Sequence, residues 1–176
     1  MDTILINIIG GPGTGKSILT SDIFSKLKRL GIPCEIASEY IKDKIYDESK
    51  KSIENQIYIF GKQHHKLFRL RGKVRVIITD SPIIFCSIYD SSKCSELKNL
   101  IMMEFNKWDS LNYLILRNEE IDYEQAGRMQ DLSGAKEVDK NMLDFLEQES
   151  VPYQTINGIG EDSLNKIVSD IINKIK

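Results

Sequence analysis

The stretch Gly10-Gly11-Pro12-Gly13-Thr14-Gly15-Lys16-Ser17 constrains this chain more than any other. Glycines at four of its eight positions exclude regular strand or helix along most of it. The apolar run Ile4 to Ile9 comes just before and reads as a buried strand. Leu19, Ile23, Leu27 and Leu30 follow at helical spacing, so a helix is expected to start inside the stretch. Glycines let several backbone N–H groups converge on one anion, and the helix N-terminus adds positive potential. The pattern is G-x-x-x-x-G-K-[ST], the phosphate-binding P-loop. Gly11, Pro12, Gly13, Thr14, Gly15, Lys16 and Ser17 are therefore the expected ATP contacts. Lys16 is expected to reach the β- and γ-phosphates and Ser17 to ligate Mg²⁺. The alternative is a glycine-rich turn with no ligand.

Length and charge narrow the class. A chain of 176 residues suits one domain with a real core, here expected over 1–176. The formal net charge of −2 exerts no global pull toward nucleic acid. The N-terminus lacks the positive segment of a signal peptide, and no apolar run approaches membrane-spanning length. Cys34, Cys86 and Cys94 are odd in number and form no C-x-x-C pair, which fits a reducing, cytoplasmic compartment.

Strand and helix patterns alternate along the chain, predicting an α/β fold. Strands are expected at Thr3–Ile9, Cys34–Ser38, Val74–Thr79, Tyr113–Leu116 and Tyr153–Ile156. Between them, one long helix is expected from about Ser52 to Arg71, with Ile53, Ile57, Phe60, His64 and Leu67 inward. Shorter helical pieces are expected at about Ile83–Tyr89 and Ser95–Lys107. Residues 118–135 are mostly polar and read as a short lid. Helices at Lys136–Glu149 and Ser163–Ile175 complete the pattern.

Several side chains carry candidate chemistry. Asp80 ends the run Val76-Ile77-Ile78-Thr79, a Walker B-like delivery of a carboxylate to metal beside the P-loop. Its other reading is a helix cap before Ser81-Pro82. Glu39 ends the second strand and shares the crevice at the strands' carboxyl ends. One of these carboxylates can serve the metal while the other takes a proton from an attacking hydroxyl. Arg128 within the lid is a candidate to stabilise charge on the γ-phosphate, and Arg117 at its edge a candidate nucleotide contact. For each arginine the alternative is a solvated side chain. Gln56 and Gln63 are expected to face solvent, with substrate contact as the other reading. His64 is expected to be buried and hydrogen-bonded. Asn106-Lys107-Trp108-Asp109 and Asp131-Leu132-Ser133-Gly134 match N-K-x-D and D-x-x-G, in reversed order and wrong context, and are read as chance.

With these residues placed, the chain resembles the P-loop kinase domain of the nicotinamide riboside kinase type and small viral nucleotide kinases. The matching stations are Gly10 to Ser17, Glu39-Tyr40, the helix with Gln63, Asp80, Arg128 and Val151-Pro152-Tyr153. The resemblance implies a three-layer P-loop fold, with helices on both faces of a five-stranded parallel sheet. It further implies transfer of the ATP γ-phosphate to a hydroxyl or phosphate of a nucleoside- or nucleotide-like acceptor. Glu39 matches the base of the wider deoxynucleoside kinase group. That group often carries an arginine after the strand-three acid, where this chain has Ser81-Pro82. Two other activities stay open: a kinase acting on a polynucleotide or a modified base within DNA, and a regulatory ATPase without an acceptor. DNA or RNA is the less favoured partner, a membrane is not expected, and a monomer or homodimer is.

Overall fold

The computed structural model describes residues 2–117 and 131–176. Its frame is a sheet of five parallel strands in the order β2-β3-β1-β4-β5. These are β1 (Ile4–Ile9), β2 (Cys34–Ile36), β3 (Val76–Thr79), β4 (Ser110–Leu116) and β5 (Gln154–Asn157). β1 is central and buried along its whole length, as its apolar run requires. Leu5 and Ile9 project to one face, and Ile4, Ile6 and Ile8 to the other.

Each face has its own core. On one side α1 (Lys16–Arg29) and α8 (Glu161–Ile175) set Leu19, Ile23, Leu27, Ile167, Val168 and Ile171 against Ile6, Ile78 and Ile156. On the other lie α4 (Gln56–Phe68), α5 (Phe85–Ile88), α6 (Ser95–Phe105) and α7 (Leu132–Gln148). They contribute Ile59, Phe60, Phe85, Ile101, Met142 and Leu146 against Leu5, Ile77 and Leu114. Two short helices, α2 (Ile41–Tyr46) and α3 (Lys50–Glu54), precede α4. This is the expected three-layer α/β arrangement.

Polar residues in the sheet join neighbouring strands. Asn7 donates to Asn112 Oδ1 at 2.8 Å, and Asn112 donates to the Pro152 carbonyl at 2.8 Å. That network ties β1 and β4 to the approach of β5. Among the described residues no helix is long and apolar enough to cross a membrane.

The helix pattern needs correction in three places. The long helix from Ser52 to Arg71 is broken at Asn55, whose side chain caps α4 by accepting the Tyr58 N–H at 3.1 Å. The inward stripe of α4 is then Gln56, Ile59, Phe60, Gln63 and Leu67, while Ile57 is 69% exposed. Two amides belong to the buried face, so the apolar residues alone give the wrong phase. Leu30, expected on the buried face of α1, is exposed beyond the end of that helix.

Residues 118–130, most of the expected lid including Arg128, lie outside the described residues. At the far end Asp131 caps α7, accepting the Gly134 N–H at 2.8 Å. That capping role explains the D-x-x-G match. His64 is half-buried rather than buried, 3.3 Å from Glu104. The helix end bearing it is only partly covered by α6, so the ring keeps contact with water.

Candidate functional site

The P-loop runs from the end of β1 into α1, where the sequence places it. Gly15 sits at φ 89°, a conformation that side chains rarely adopt, and a Cβ there meets Ile159 at 2.7 Å. The backbone thus turns sharply into α1, whose first residues are Lys16 and Ser17. Thr14 Oγ1 donates to the Gly11 carbonyl at 3.0 Å and stiffens the loop.

β1 and β3 are direct neighbours in the sheet, with Asn7 level with Thr79. That pairing delivers Asp80, the residue after β3, to the start of α1. Ser17 Oγ donates to Asp80 Oδ2 at 2.8 Å. Asp80 is buried, and its Oδ1 has no hydrogen-bond partner. An orphaned, buried carboxylate oxygen beside a serine hydroxyl suits a hard cation that binds through oxygen. Among the described residues, no group of three or more His, Cys, Asp or Glu side chains forms a metal site by itself. A cation at Ser17 and Asp80 would therefore share its shell with phosphate oxygens or water.

Lys16 Nζ donates to the Gly11 carbonyl at 2.8 Å. Burial pushes its ammonium below the ordinary value. The carboxylates of Glu39, Asp80 and Asp139 pull it back up, and Arg117 opposes them. Glu39 follows β2 and lies in the same field. Burial holds its carboxyl above the usual carboxylate range, and the Asp80 charge adds to that. Lys16, Lys42 and Lys66 pull the other way.

The loop carrying Glu39 is tied down by Gln63. This side chain is 1% exposed on α4 and accepts the Tyr40 N–H at 3.1 Å. Its amide nitrogen lies 3.4 Å from both the Ala37 carbonyl and Thr79 Oγ1. Thr79 Oγ1 in turn donates to the Ala37 carbonyl at 2.8 Å and accepts the Ser81 N–H at 3.1 Å. One buried amide therefore bridges the chain ends that bear Glu39 and Asp80. Gln56 is also buried and donates to the Ile53 carbonyl at 2.8 Å. Neither glutamine faces solvent as expected, because each satisfies backbone groups that packing removes from water.

Arg117 meets the loop from the other side. It forms a two-pronged pair with Asp139, at 2.6 Å from Nε and 3.2 Å from a terminal nitrogen, and donates to the Pro12 carbonyl at 2.7 Å. Asp139 also accepts the Gly11 N–H at 3.0 Å. Sequence reasoning missed Asp139. The available signal was its place on the buried stripe of α7, between Ala135 and Met142. A charged residue on such a stripe calls for a partner.

The structure thus gathers Lys16, Ser17, Glu39, Asp80, Arg117 and Asp139 around one loop. Arg128 is outside the described residues. A family model described as AAA domain matches residues 5–162. A comparison with curated proteins finds no match.

Proposed function

The chain belongs to the AAA domain family, and on that premise we propose that it is an ATP-dependent kinase acting on a nucleoside- or nucleotide-like acceptor. The observation that carries this reading is the pairing of two carboxylates in different settings. Asp80 receives the Ser17 hydroxyl and keeps one orphaned oxygen, as a partner for Mg²⁺ should. Glu39 stands apart, raised toward neutrality by burial, as a base that takes a hydroxyl proton should be. A second carboxylate near the phosphates serves transfer to an alcohol by accepting its proton.

In the reaction, the acceptor oxygen forms a bond to the γ-phosphorus. The bond from γ-phosphorus to the β–γ bridging oxygen breaks, and ADP leaves with that electron pair. The acceptor proton passes to the Glu39 carboxylate. Lys16 and the P-loop N–H groups hold the phosphates and offset charge on them. Ser17 and Asp80 would hold Mg²⁺, which would supply further neutralisation of the phosphate oxygens. Arg117 and Asp139 position the loop.

The family match also fits a regulatory ATPase with water as acceptor. One screen separates the two: ADP release from ATP and Mg²⁺, with and without a panel of nucleosides, nucleotides and DNA. A rate that rises with one acceptor, together with a phosphorylated product, supports the kinase. A rate indifferent to every acceptor supports the ATPase and overturns the proposal.

A further inference from the structure

The wall of the crevice formed by α4 has a charge pattern unlike the rest of the chain. From Asn55 to Thr79 the sequence carries Lys62, Lys66, Arg69, Arg71, Lys73 and Arg75, and no Asp or Glu. Lys62 and Lys66 lie one turn apart on α4. Lys66 Nζ donates to the carbonyl of Ser38, the residue that precedes Glu39, at 2.9 Å and is 3.2 Å from Ser38 Oγ. The same ammonium is 5.7 Å from the centre of the Tyr40 ring. The Lys62 ammonium is 5.5 Å from the Tyr58 ring. The two rings meet edge to face at 5.8 Å, with their hydroxyls 2.5 Å apart. Lys42 is exposed at the start of α2.

The ridge is therefore two tyrosines flanked by ammonium groups, continuous with the loop that carries Glu39. We propose that Lys62, Lys66, Tyr40 and Tyr58 bind a phosphate that the acceptor already carries, so that the acceptor is a mononucleotide with its hydroxyl turned toward Glu39. This rests on the kinase reading above. Ammonium groups are mobile, three-donor point charges and suit a phosphate approached from several sides. An aromatic face beside them suits the flat base of the same ligand. The acidic neighbours set the scale. Asp47 already engages Lys44 at 2.6 Å, and Asp43 lies on the same short helix. The positive surface that remains matches one phosphate group better than a long polyanion. The carried phosphate is the handle and the hydroxyl is the attacking group, because Lys66 contacts the residue just before Glu39, the base in the reading above.

The test compares matched pairs of probes: adenosine, cytidine, guanosine, uridine and thymidine against their 5′-monophosphates, plus a twelve-residue oligothymidylate. Acceptor-dependent ADP release and calorimetric binding are both measured. The expected result is a kcat/KM at least roughly tenfold higher for one monophosphate than for its parent nucleoside. Lys62→Gln and Lys66→Gln should each raise the KM and Kd of that monophosphate by roughly three- to thirtyfold, with the KM for ATP unchanged. Arg69→Gln, on the same cationic run but beyond the ridge, should change neither. Equal use of nucleoside and monophosphate overturns the proposal, as does an acceptor KM indifferent to both lysine changes. Tighter binding of the oligothymidylate than of every monophosphate, weakened by the same changes, overturns the choice of a mononucleotide. Should no acceptor accelerate ADP release, the kinase reading falls. Calorimetry then judges the ridge alone: binding of a monophosphate that Lys62→Gln and Lys66→Gln weaken supports it, and no binding overturns it.

Discussion

Glu39 and Asp80 share one crevice but keep different company, and their amide variants should fail differently. Glu39→Gln keeps the shape but cannot take a proton. Its kcat should fall by about 10²–10⁴-fold, with nucleotide affinity little changed. Asp80→Asn should instead raise the Mg²⁺ concentration needed for half-maximal rate, since a neutral amide is a poor partner for a hard cation. A Mg²⁺ titration of kcat decides between them. Unchanged metal dependence in Asp80→Asn, beside near-normal turnover in Glu39→Gln, reverses the two roles. Glu39 also links activity to stability. Its carboxyl is raised in the folded chain, so the native state holds that proton more tightly than the unfolded state. Stability should therefore fall as pH rises from the ordinary carboxylate range through the raised value. Glu39→Gln escapes this loss, and its Tm advantage over wild type should grow as pH rises above the ordinary carboxylate range. A Tm difference that does not vary with pH contradicts the buried-carboxyl account. Lys16→Ala should remove transfer, by about 10²-fold or more, while leaving the circular dichroism spectrum unchanged.

At the scale of elements, α4 does more than cover the sheet. Its inward face carries Gln63, the side chain through which the loop after β2 and the end of β3 are held in one arrangement. Gln63→Leu conserves most of the volume but leaves the Tyr40 N–H without its partner, at a cost of about 1–3 kcal/mol. A purely structural role predicts a lower Tm and nothing else. A positioning role predicts more: kcat falls while the KM for ATP holds. The acidic limb of the pH–rate profile should also move to lower pH, as Glu39 becomes better hydrated. Gln63→Met follows the length of the native side chain without its amide, and it should show the same loss and the same shifted limb. A wild-type limb in Gln63→Met would assign the effect to volume and not to the amide.

Across the whole molecule, the loop after β1 is held from two directions. From β3 comes Asp80 with the Ser17 hydroxyl; from α7 and the end of β4 come Asp139 and Arg117. Asp139→Asn removes the charge that both Arg117 and the Gly11 N–H engage, at a cost of about 1–2 kcal/mol. That corresponds to a Tm lower by roughly 2–8 °C in a chain of this size. Gly11→Ala should reproduce the defect, because its Cβ would lie 2.0 Å from Asp139 Oδ1. Both variants should weaken ATP binding in calorimetry. Unaltered affinity in both would show that the α7 contact does not set the shape of the loop. These contacts mark where sequence reading ends. The strand, the glycine loop and the start of α1 were all legible, because each is encoded by neighbours: an apolar run, residues tolerating positive φ, then a 3.6-residue period. Asp80 was legible for the same reason, at the end of its own strand. Gln63 and Asp139 were not. Their partners lie 23 and 128 residues away, at Tyr40 and Gly11, and no local pattern announces a polar residue on a buried face as a brace. Local pattern was therefore enough for the α/β alternation and the loop, and the three-layer arrangement followed from the resemblance to P-loop kinases. Which polar side chains hold that loop and its two carboxylates in place emerged only in three dimensions, because a buried hydrogen bond is defined by packing between distant segments.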